Sequence, residues 1–271
     1  PHASVVEVKG LDQFHRMSGT IEITPEDIRE AIEWQKEAAA YEARKRNLRY
    51  YHCYRVDSHI KADGRLGDWG EQPRSRISED VSFTMGYDDE NLYVAYKVDR
   101  LTDLVNQGKR WDRLFDTGAC VDLRIATDPE APADRETPVA GDMRILFSRL
   151  REKPIAVLYK PVSPDAPEER EWTVESPVRK ETFDEVRRLN EATIGYRRYN
   201  KRKSTTLSHF VLEAAIPLEA IGLDIRPDLR VKMDWGYLRS NKEGTALMER
   251  MYWSNTAAIT LSDTPTEASI S

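Results

Sequence analysis

Short runs of alternating apolar and polar residues, separated by turn-forming Gly, Pro and Asp, dominate this chain from its first fifth onward. The clearest run is VSFTMGYDDENLYVAYKVD, in which Phe83, Met85 and Tyr87 alternate into an acidic turn and Leu92 and Val94 alternate out of it. A period of two residues places alternate side chains on one face of a strand. The segment therefore predicts a β-hairpin with one buried face.

Further strand candidates follow this hairpin. They are CVDLRIA (120–126), DMRILFS (142–148), IAVLYK (155–160), WTVES (172–176), HFVLEAAIP (209–217) and VKMDWGYL (231–238). Only Leu218 to Ile221 suggests a helical turn among them. Many strands with little intervening helix predict an all-β fold, either an antiparallel sandwich or a barrel. Segments 126–142 and 187–206 are interpreted as long loops, which often carry binding residues.

The N-terminal segment follows a different pattern. SVVEVKG and GTIEIT alternate as short strands do, and Thr24 then serves as an N-cap before Pro25 at the first helical position. Apolar side chains recur on one narrow face of this amphipathic helix: Ala31, Trp34, Ala38 and Tyr41. We predict an extended segment and connector helix over residues 1–48, with the helix packed on its own sandwich or on a neighbouring domain. Residues 49–271 are predicted to form the β-sandwich domain.

Charge and composition exclude several classes of protein. The 271 residues carry 41 basic and 47 acidic side chains, a formal charge of −6. A chain of this sign has no general attraction for phosphate backbones, so nucleic acid is not an expected partner. No run approaches the about 18 apolar residues of a membrane helix, so no membrane span is expected. Cys53 and Cys120 are the only cysteines, which leaves open one disulfide or two thiols.

Motifs of enzymatic chemistry are missing from the sequence. Neither a nucleophile elbow, a P-loop nor a dinucleotide fingerprint occurs. The five histidines lack zinc-hydrolase spacing: His2, His15, His52, His59 and His209. The pairs Asp112/Asp116 and Asp116/Asp122 could flank a glycosidic bond, but a chain with 47 acids contains such pairs by chance. The sequence therefore predicts a protein that is not an enzyme.

Six short motifs follow one another along the predicted sandwich. They are IKADGRLGDWGE, GYDDENLYVAYKV, GKRWDRLFDTGACVDLRI, GDMRILFS, FVLEAAIPLEAIGL and RMYWSN. Their order, over roughly residues 50–260, resembles that of family 9 carbohydrate-binding modules. The resemblance implies a two-sheet antiparallel β-sandwich that holds a sugar between aromatic rings, often with structural calcium. It also implies an extracellular or periplasmic location, and a role as an accessory domain beside a catalytic domain.

The resemblance also implies a set of sugar-binding residues. Trp111, in a polar loop, matches the family's first stacking Trp, while Asp122 and Arg144 match its acidic and guanidinium ligands, with Asp where Glu is usual. Asp116 is expected to support the loop. If their strands are neighbours, period-two alternation puts Asp122 and Arg144 together on the solvent-facing side of one sheet. Two other interpretations stay open, namely a Trp that caps the edge of the core and a plain surface salt bridge.

This sequence departs from the family's pattern near its end. The second stacking Trp has no equivalent in TAAITLSDTPTEASIS, and the positions of the late polar contacts fall at Gly236 and Leu238. Trp235 and Tyr237 alternate as core residues do. These departures favour an alternative function, in which the sandwich is a structural accessory domain that packs through its Trp34 helix and binds no sugar.

Two oxygen-rich stretches, residues 63–68 and 88–91, contain the ligand types that calcium prefers. Neither has the spacing of an EF-hand loop, and the second is mainly a turn. Calcium is therefore expected through the resemblance, with no ligand assigned.

Overall fold

The computed structural model describes residues 4–11, 16–46, 50–56, 59–100, 103–128, 130–131, 135, 137–164, 172–175, 180–199, 209–226, 229–254 and 259–260. Contacts divide the chain into two units, Pro1–Tyr50 and Tyr51–Ser271. In the first unit, β1 (Ser4–Leu11) and β2 (Arg16–Ile23) form an antiparallel hairpin that precedes helix α1 (Pro25–Arg46). The helix begins at Pro25, as the N-cap pattern predicts.

The predicted apolar face of α1 is exposed where its side chains are described: Trp34 is 70% exposed and Ala31 is exposed as well. Ile28 and Ile32, which lie off that face, are 42% and 46% exposed. The side chains of the other two predicted face residues lie outside the described part of the chain.

Strands make up most of the regular secondary structure of the second unit. In chain order they are β3 (Tyr54–Arg55), β4 (Arg74–Arg76), β5 (Val81–Tyr87), β6 (Asn91–Val98), β7 (Cys120–Ala126), β8 (Asp142–Leu150), β9 (Lys153–Lys160), β10 (Trp172–Glu175), β11 (Lys180–Phe183), β12 (Glu185–Arg188), β13 (Thr193–Tyr199), β14 (His209–Pro217), β15 (Lys232–Ser240), β16 (Leu247–Tyr252) and β17 (Ile259–Thr260). The short helices are α2 (Leu114–Thr117), which follows a 3-10 turn at Trp111–Arg113, and α3 (Leu218–Ile221); a second 3-10 turn spans Leu66–Asp68.

Two large sheets form the predicted sandwich. One has seven strands in the order β12-β9-β8-β7-β15-β16-β17, all antiparallel. The other has six, β13-β14-β6-β5-β3 with β4 also on β5, and only the two-residue β3 runs parallel to its neighbour. Strands β10 and β11 make a separate hairpin. The prediction of a two-sheet antiparallel sandwich is confirmed.

Aromatic side chains from both sheets meet in the core between them. Phe83 of β5 stacks on Trp235 of β15 with ring centroids 4.4 Å apart. Tyr96 of β6 crosses the core and donates its hydroxyl proton to the carbonyl oxygen of Asp122, at 2.7 Å. Trp235 and Tyr237 are 1% and 0% exposed, so their prediction as core residues is confirmed.

The outer face of each sheet is also covered. Helix α2 lies over the seven-stranded sheet, and an apolar cluster is buried there: Leu114, Phe115, Cys120, Leu146, Val157, Tyr159, Phe183 and Leu238. The segment before β4 covers the six-stranded sheet with a second cluster: Val56, Ile60, Trp69, Tyr93, Ala95 and Ala215. The β5–β6 hairpin is therefore buried on both faces at its centre, and the prediction of a single buried face is wrong.

Segment 187–206 is not the continuous loop that its charges suggest. Strand β12 extends into it, and β13 pairs with β14 along its full length; residues 200–208 lie outside the described part. Ile194 and Tyr196 of β13 pack against the core. The two arginines after them, Arg197 and Arg198, conceal this alternation, and such charges are typical of an edge strand.

Both cysteines are free thiols. Cys53 packs against the core between the sheets, whereas Cys120 is buried in the outer cluster of the seven-stranded sheet. Burial raises the pKa of each thiol to about 12. The disulfide alternative therefore does not hold. No helix within the described ranges is long and apolar enough to cross a membrane.

Candidate functional site

Asp122 and Arg144 form an ion pair between neighbouring strands β7 and β8. The guanidinium Nε lies 3.1 and 3.0 Å from the two carboxylate oxygens, and Nη2 lies 2.7 Å from Oδ2. The prediction that these side chains share one face is confirmed, but the expected solvent exposure is wrong. Asp122 is fully buried and the Arg144 side chain is only 12% exposed. Phe115 of α2 lies over the pair, with the guanidinium 5.1 Å from its ring centroid.

Tyr252 and Arg124 complete a polar network around this pair. The Tyr252 hydroxyl donates to Asp122 Oδ2 at 2.6 Å, and Arg124 Nη2 donates to that hydroxyl oxygen at 3.1 Å. The Arg124 guanidinium also lies 4.9 Å from the Tyr252 ring centroid and 3.6 Å from the Asp122 carboxylate. Sequence reasoning missed Tyr252, although it belongs to the RMYWSN motif.

The charges of this network decide its protonation states. Burial opposes ionisation of Asp122, but the positive charges of Arg144 and Arg124 and the Tyr252 hydrogen bond outweigh it, so the pKa of Asp122 is lowered. Burial and the Asp122 charge raise the pKa of Tyr252 to about 12. Asp122 is thus ionised at neutral pH, and both of its carboxylate oxygens accept hydrogen bonds within the network. A buried ion pair with satisfied partners fixes the elements that cover it, and removing one partner is costly.

Trp111 lies at the start of the segment that covers this network. Its indole is half-buried, packs against the outer apolar cluster and has the Arg188 guanidinium 5.2 Å from its ring centroid. The next residue, Asp112, holds the turn in place. Its carboxylate accepts hydrogen bonds from Arg110 Nε at 3.0 Å and from Trp172 Nε1 at 2.7 Å. The indole of Trp111 is therefore presented in a defined position at the protein surface.

A groove of about 490 Å³ opens beside Trp111. This volume lies within the range of roughly 300–1,000 Å³ that is usual for small-molecule sites. The Trp111 loop, the β8–β9 turn and the segment after β12 form its walls. Its polar and aromatic lining comprises Lys109, Trp111, Arg151, Lys153, Arg188 and Asn190. Its apolar lining comprises Leu150, Pro154, Ile155, Ala156, Leu189, Ala192 and Ile194.

Asp116 lies on α2, between the Trp111 turn and the buried network. Its side chain is 34% exposed, and its carboxylate lies 3.5 Å from Arg113 Nη1. Burial raises the pKa of Asp116 against the opposing charges of Arg113 and Arg250. The structure thus brings the four predicted residues to one side of the seven-stranded sheet: Trp111, Asp116, Asp122 and Arg144. Trp111 lies beside an open groove, whereas Asp122 is buried beneath α2.

The motif IKADGRLGDWGE has a structural role that involves a buried acid. Glu213 of β14 is 1% exposed, and its Oε2 accepts backbone N–H bonds from Asp63, Gly64 and Arg65 at 3.0, 2.6 and 3.0 Å. Its Oε1 accepts the indole N–H of Trp69 at 2.6 Å. This carboxylate therefore fixes the loop that covers the six-stranded sheet.

The second oxygen-rich stretch uses its carboxylates within the protein. Asp88 Oδ1 accepts backbone N–H bonds from Glu90 and Asn91 at 2.9 and 2.7 Å, and Asp89 pairs with Arg55. No group of three His, Cys, Asp or Glu side chains converges anywhere in the described residues. These side chains do not fit a calcium site, and calcium stays a prediction without an assigned ligand.

Comparisons with known proteins give matches among solved structures alone. No family profile and no curated protein matches this sequence. A family 9 carbohydrate-binding module from Caldicellulosiruptor kristjanssonii in complex with cellotriose matches with 12% identity and a TM-score of 0.42, over 81% of this chain and 97% of that chain. A module of this family from the same organism in complex with glucose matches with 12% identity and a TM-score of 0.39, over 74% and 84%. The chain is thus similar to solved structures of the family that its motifs resemble.

Proposed function

We propose that this chain is a non-catalytic carbohydrate-binding protein and that the sugar lies in the groove beside Trp111. The observation that carries the proposal is a half-buried indole, fixed by its loop, on the wall of an open groove with polar side chains. A sugar ring has an apolar C–H face and a rim of hydroxyls, which suit an aromatic surface with adjacent hydrogen-bond donors. A position fixed in advance lowers the entropy cost of binding.

The proposal assigns different roles to the residues that the sequence singled out. Trp111 contacts the sugar ring. The Arg188 side chain, which lies over that indole, either moves aside at a cost of about 0.5–1 kcal/mol or donates to a sugar hydroxyl. Asp122 and Arg144 support α2 from below, and Asp116 supports the same segment from within it. Direct contact of Asp122 with a sugar is not part of the proposal, because its carboxylate is fully buried.

The acids of this region support binding rather than hydrolysis. Glycoside hydrolysis requires two carboxyl groups that reach one glycosidic bond. Asp122 is buried against Arg144, Asp112 is paired with Arg110, and Asp116 is paired with Arg113. We include in the proposal an extracellular or periplasmic location and a place beside a catalytic domain in a larger carbohydrate-active protein.

One observation favours the second candidate function, that of a structural accessory domain. Helix α1 exposes three large apolar side chains, Ile28, Ile32 and Trp34. Ile28 and Ile32, one turn apart, share one face of the helix, and Trp34 lies on another. Exposed apolar side chains of this size are typical of a helix that packs on another protein domain. The two functions differ in their dependence on Trp111 and Trp34, which makes them separable by experiment.

Isothermal titration of the chain with neutral and acidic oligosaccharides tests sugar binding. We expect dissociation constants of about 0.1–1 mM, since a platform with one aromatic ring contributes modestly. Trp111→Ala should weaken binding by about tenfold, because an aromatic contact contributes roughly 0.5–1.5 kcal/mol beyond its buried area. Trp34→Ala is the matched control and should leave binding unchanged. No heat with any sugar, or an equal loss in both variants, contradicts the proposal.

A further inference from the structure

Four cationic side chains line the groove beside Trp111, and the described part of the chain adds no carboxylate to its lining. The four are Lys109, Arg151, Lys153 and Arg188. The chain as a whole carries more acidic than basic residues, 47 against 41. The groove therefore concentrates charge of the sign opposite to that of the protein, and a concave surface lined by one sign of charge raises the local concentration of the opposite ion.

These four cations have no carboxylate within ion-pair distance among the residues that the structure describes. Arg151 reaches only the carbonyl oxygen of Lys109, at 3.5 Å. The neighbouring Arg187 behaves differently, since it pairs with Glu185 at 3.0 Å and with Glu191 at 3.1 Å. Arg187 and Arg188 are adjacent on β12 and point to opposite faces. Two carboxylates therefore neutralise the charge of Arg187, whereas Arg188 lines the groove.

The turn that places Arg151 at the groove has an unusual backbone. Arg151 and Glu152 connect β8 to β9 and have φ of +50° and +70°. Two consecutive residues with positive φ are typical of a tight hairpin turn, where Asn and Gly are preferred. Arg and Glu are strained there, and such strain is concentrated at functional sites. The strain is consistent with a requirement for the Arg151 side chain at the rim.

From this arrangement we infer that the groove binds an acidic sugar, one whose ring carries a carboxylate or a sulfate group. The inference rests on the proposed function and specifies its ligand class. The C–H face of the ring contacts Trp111. The acidic substituent extends from the edge of the ring towards Arg188, Lys153 and Arg151, where bidentate guanidinium bonds suit carboxylate and sulfate oxygens. A chain of such sugars engages several cations of the groove at once.

Calorimetry with matched ligands tests this inference. Tetragalacturonate and its fully methyl-esterified form share the same chain of sugar rings, and esterification removes the negative charge of each carboxylate. We expect the acid to bind about tenfold more tightly at about 50 mM salt, and the difference to shrink at about 500 mM as the charges are screened. Glucose 6-sulfate and glucuronate, each compared with glucose, separate sulfate from carboxylate. Equal affinity for acid and ester overturns the inference and leaves the proposed function intact, whereas no binding of either overturns both.

Variants that remove positive charge show which side chains cause the preference for the acid over the ester. Lys109→Gln with Lys153→Gln should lower affinity for the acid more than affinity for the ester, so that the preference for the acid shrinks while Arg151 and Arg188 maintain part of it. Arg74→Gln with Arg76→Gln changes net charge equally on exposed positions of β4 and should keep the preference. Equal losses in the two double variants overturn the inference. Inorganic polyphosphate tests the alternative of a general polyanion site. If it binds the Trp111→Ala variant as tightly as tetragalacturonate binds the unmodified protein, the inference is overturned.

Discussion

Tyr252 donates its hydroxyl proton to Asp122 at 2.6 Å across the strand that separates them. The residue between them is Gly236 of β15, which lies opposite Tyr252 in one strand pair and opposite Asp122 in the other. A Cβ atom on Gly236 would lie 2.5 Å from Cδ1 of the Tyr252 ring. The buried network on the outer face of the seven-stranded sheet therefore depends on the absence of a side chain at this position.

Gly236→Ala should destabilise the protein, because the added methyl group displaces the Tyr252 ring. We expect a loss of about 1–3 kcal/mol in the free energy of unfolding. Gly67→Ala is the control, since no atom lies within 4 Å of a Cβ there and its change should stay within about 0.5 kcal/mol. Urea unfolding measures both. Similar free energies of unfolding for the two variants would show that the position of the Tyr252 ring does not depend on the missing side chain at Gly236.

Asp122 and Arg144 should be strongly coupled. Asp122→Asn leaves the buried Arg144 guanidinium without its carboxylate, and Arg144→Met removes the closest cation from the buried Asp122 carboxylate, which keeps Tyr252 and Arg124. We expect each to cost about 3–5 kcal/mol. The double variant should cost less than the sum of the singles, because neither partner is then left alone. A double-mutant cycle from chemical unfolding gives the coupling energy, and additivity would contradict the geometry of the pair.

The sequence predicts which sheet face carries the buried network, but it does not predict that this face is covered. The alternation of side chains in CVDLRIA predicts β7 with its observed bounds. It also predicts that Asp122 lies on the same sheet face as Arg144 of β8, as observed. The burial of that face depends on Phe115 of α2, which reaches Arg144 through tertiary packing. Local periodicity contains no information on which segment covers a sheet. The sequence therefore predicts an exposed ion pair where the structure has a buried one.

The groove beside Trp111 is not predictable from local sequence patterns for a related reason. Arg188 and Asn190 belong to a segment whose many charges indicate a loop, while the register of β12 on β9 places them beside the Trp111 turn. Strand pairing of this kind is a long-range contact between residues that are far apart in the chain. Trp111 itself was identifiable, because an isolated Trp in a polar loop is rarely buried entirely.

The stability of the protein should fall in acid partly through Asp122. Its pKa in the folded protein lies below the ordinary value of 3.8, because Arg144 and Arg124 outweigh the effect of burial. Its contribution is therefore fully present above about pH 5 and is lost as the pH falls through the lowered folded pKa. We expect the stability difference between the unmodified protein and Asp122→Asn to shrink as the pH is lowered from about 6 to about 3. A constant difference would contradict the lowered pKa.

Both thiols should be unreactive in the folded protein and countable in the unfolded one. Cys120 is fully buried, Cys53 is partly buried, and burial raises the pKa of each to about 12. The thiolate is the reactive form, so little of it exists at about pH 8. Iodoacetamide should modify neither residue under native conditions and both in denaturant, as measured by intact mass. A mass that stays unmodified in denaturant without reductant would reveal a disulfide.

Asp112 should control sugar binding through the position of Trp111. Its carboxylate joins Arg110 to the indole N–H of Trp172, so Asp112→Asn weakens the ion pair and disturbs the turn on which Trp111 lies. We expect affinity for the sugar to fall by about threefold to tenfold, since displacement of a stacking ring by a fraction of an ångström removes part of its contact. Arg110→Gln keeps the carboxylate and the Trp172 bond, so its loss should be smaller. Asp112→Glu restores the charge and should recover part of the affinity. Equal affinities in the three variants would show that the apolar cluster alone positions the Trp111 indole. A larger loss in Asp112→Asn than in Arg110→Gln or Asp112→Glu would show that the Asp112 carboxylate positions it through the turn.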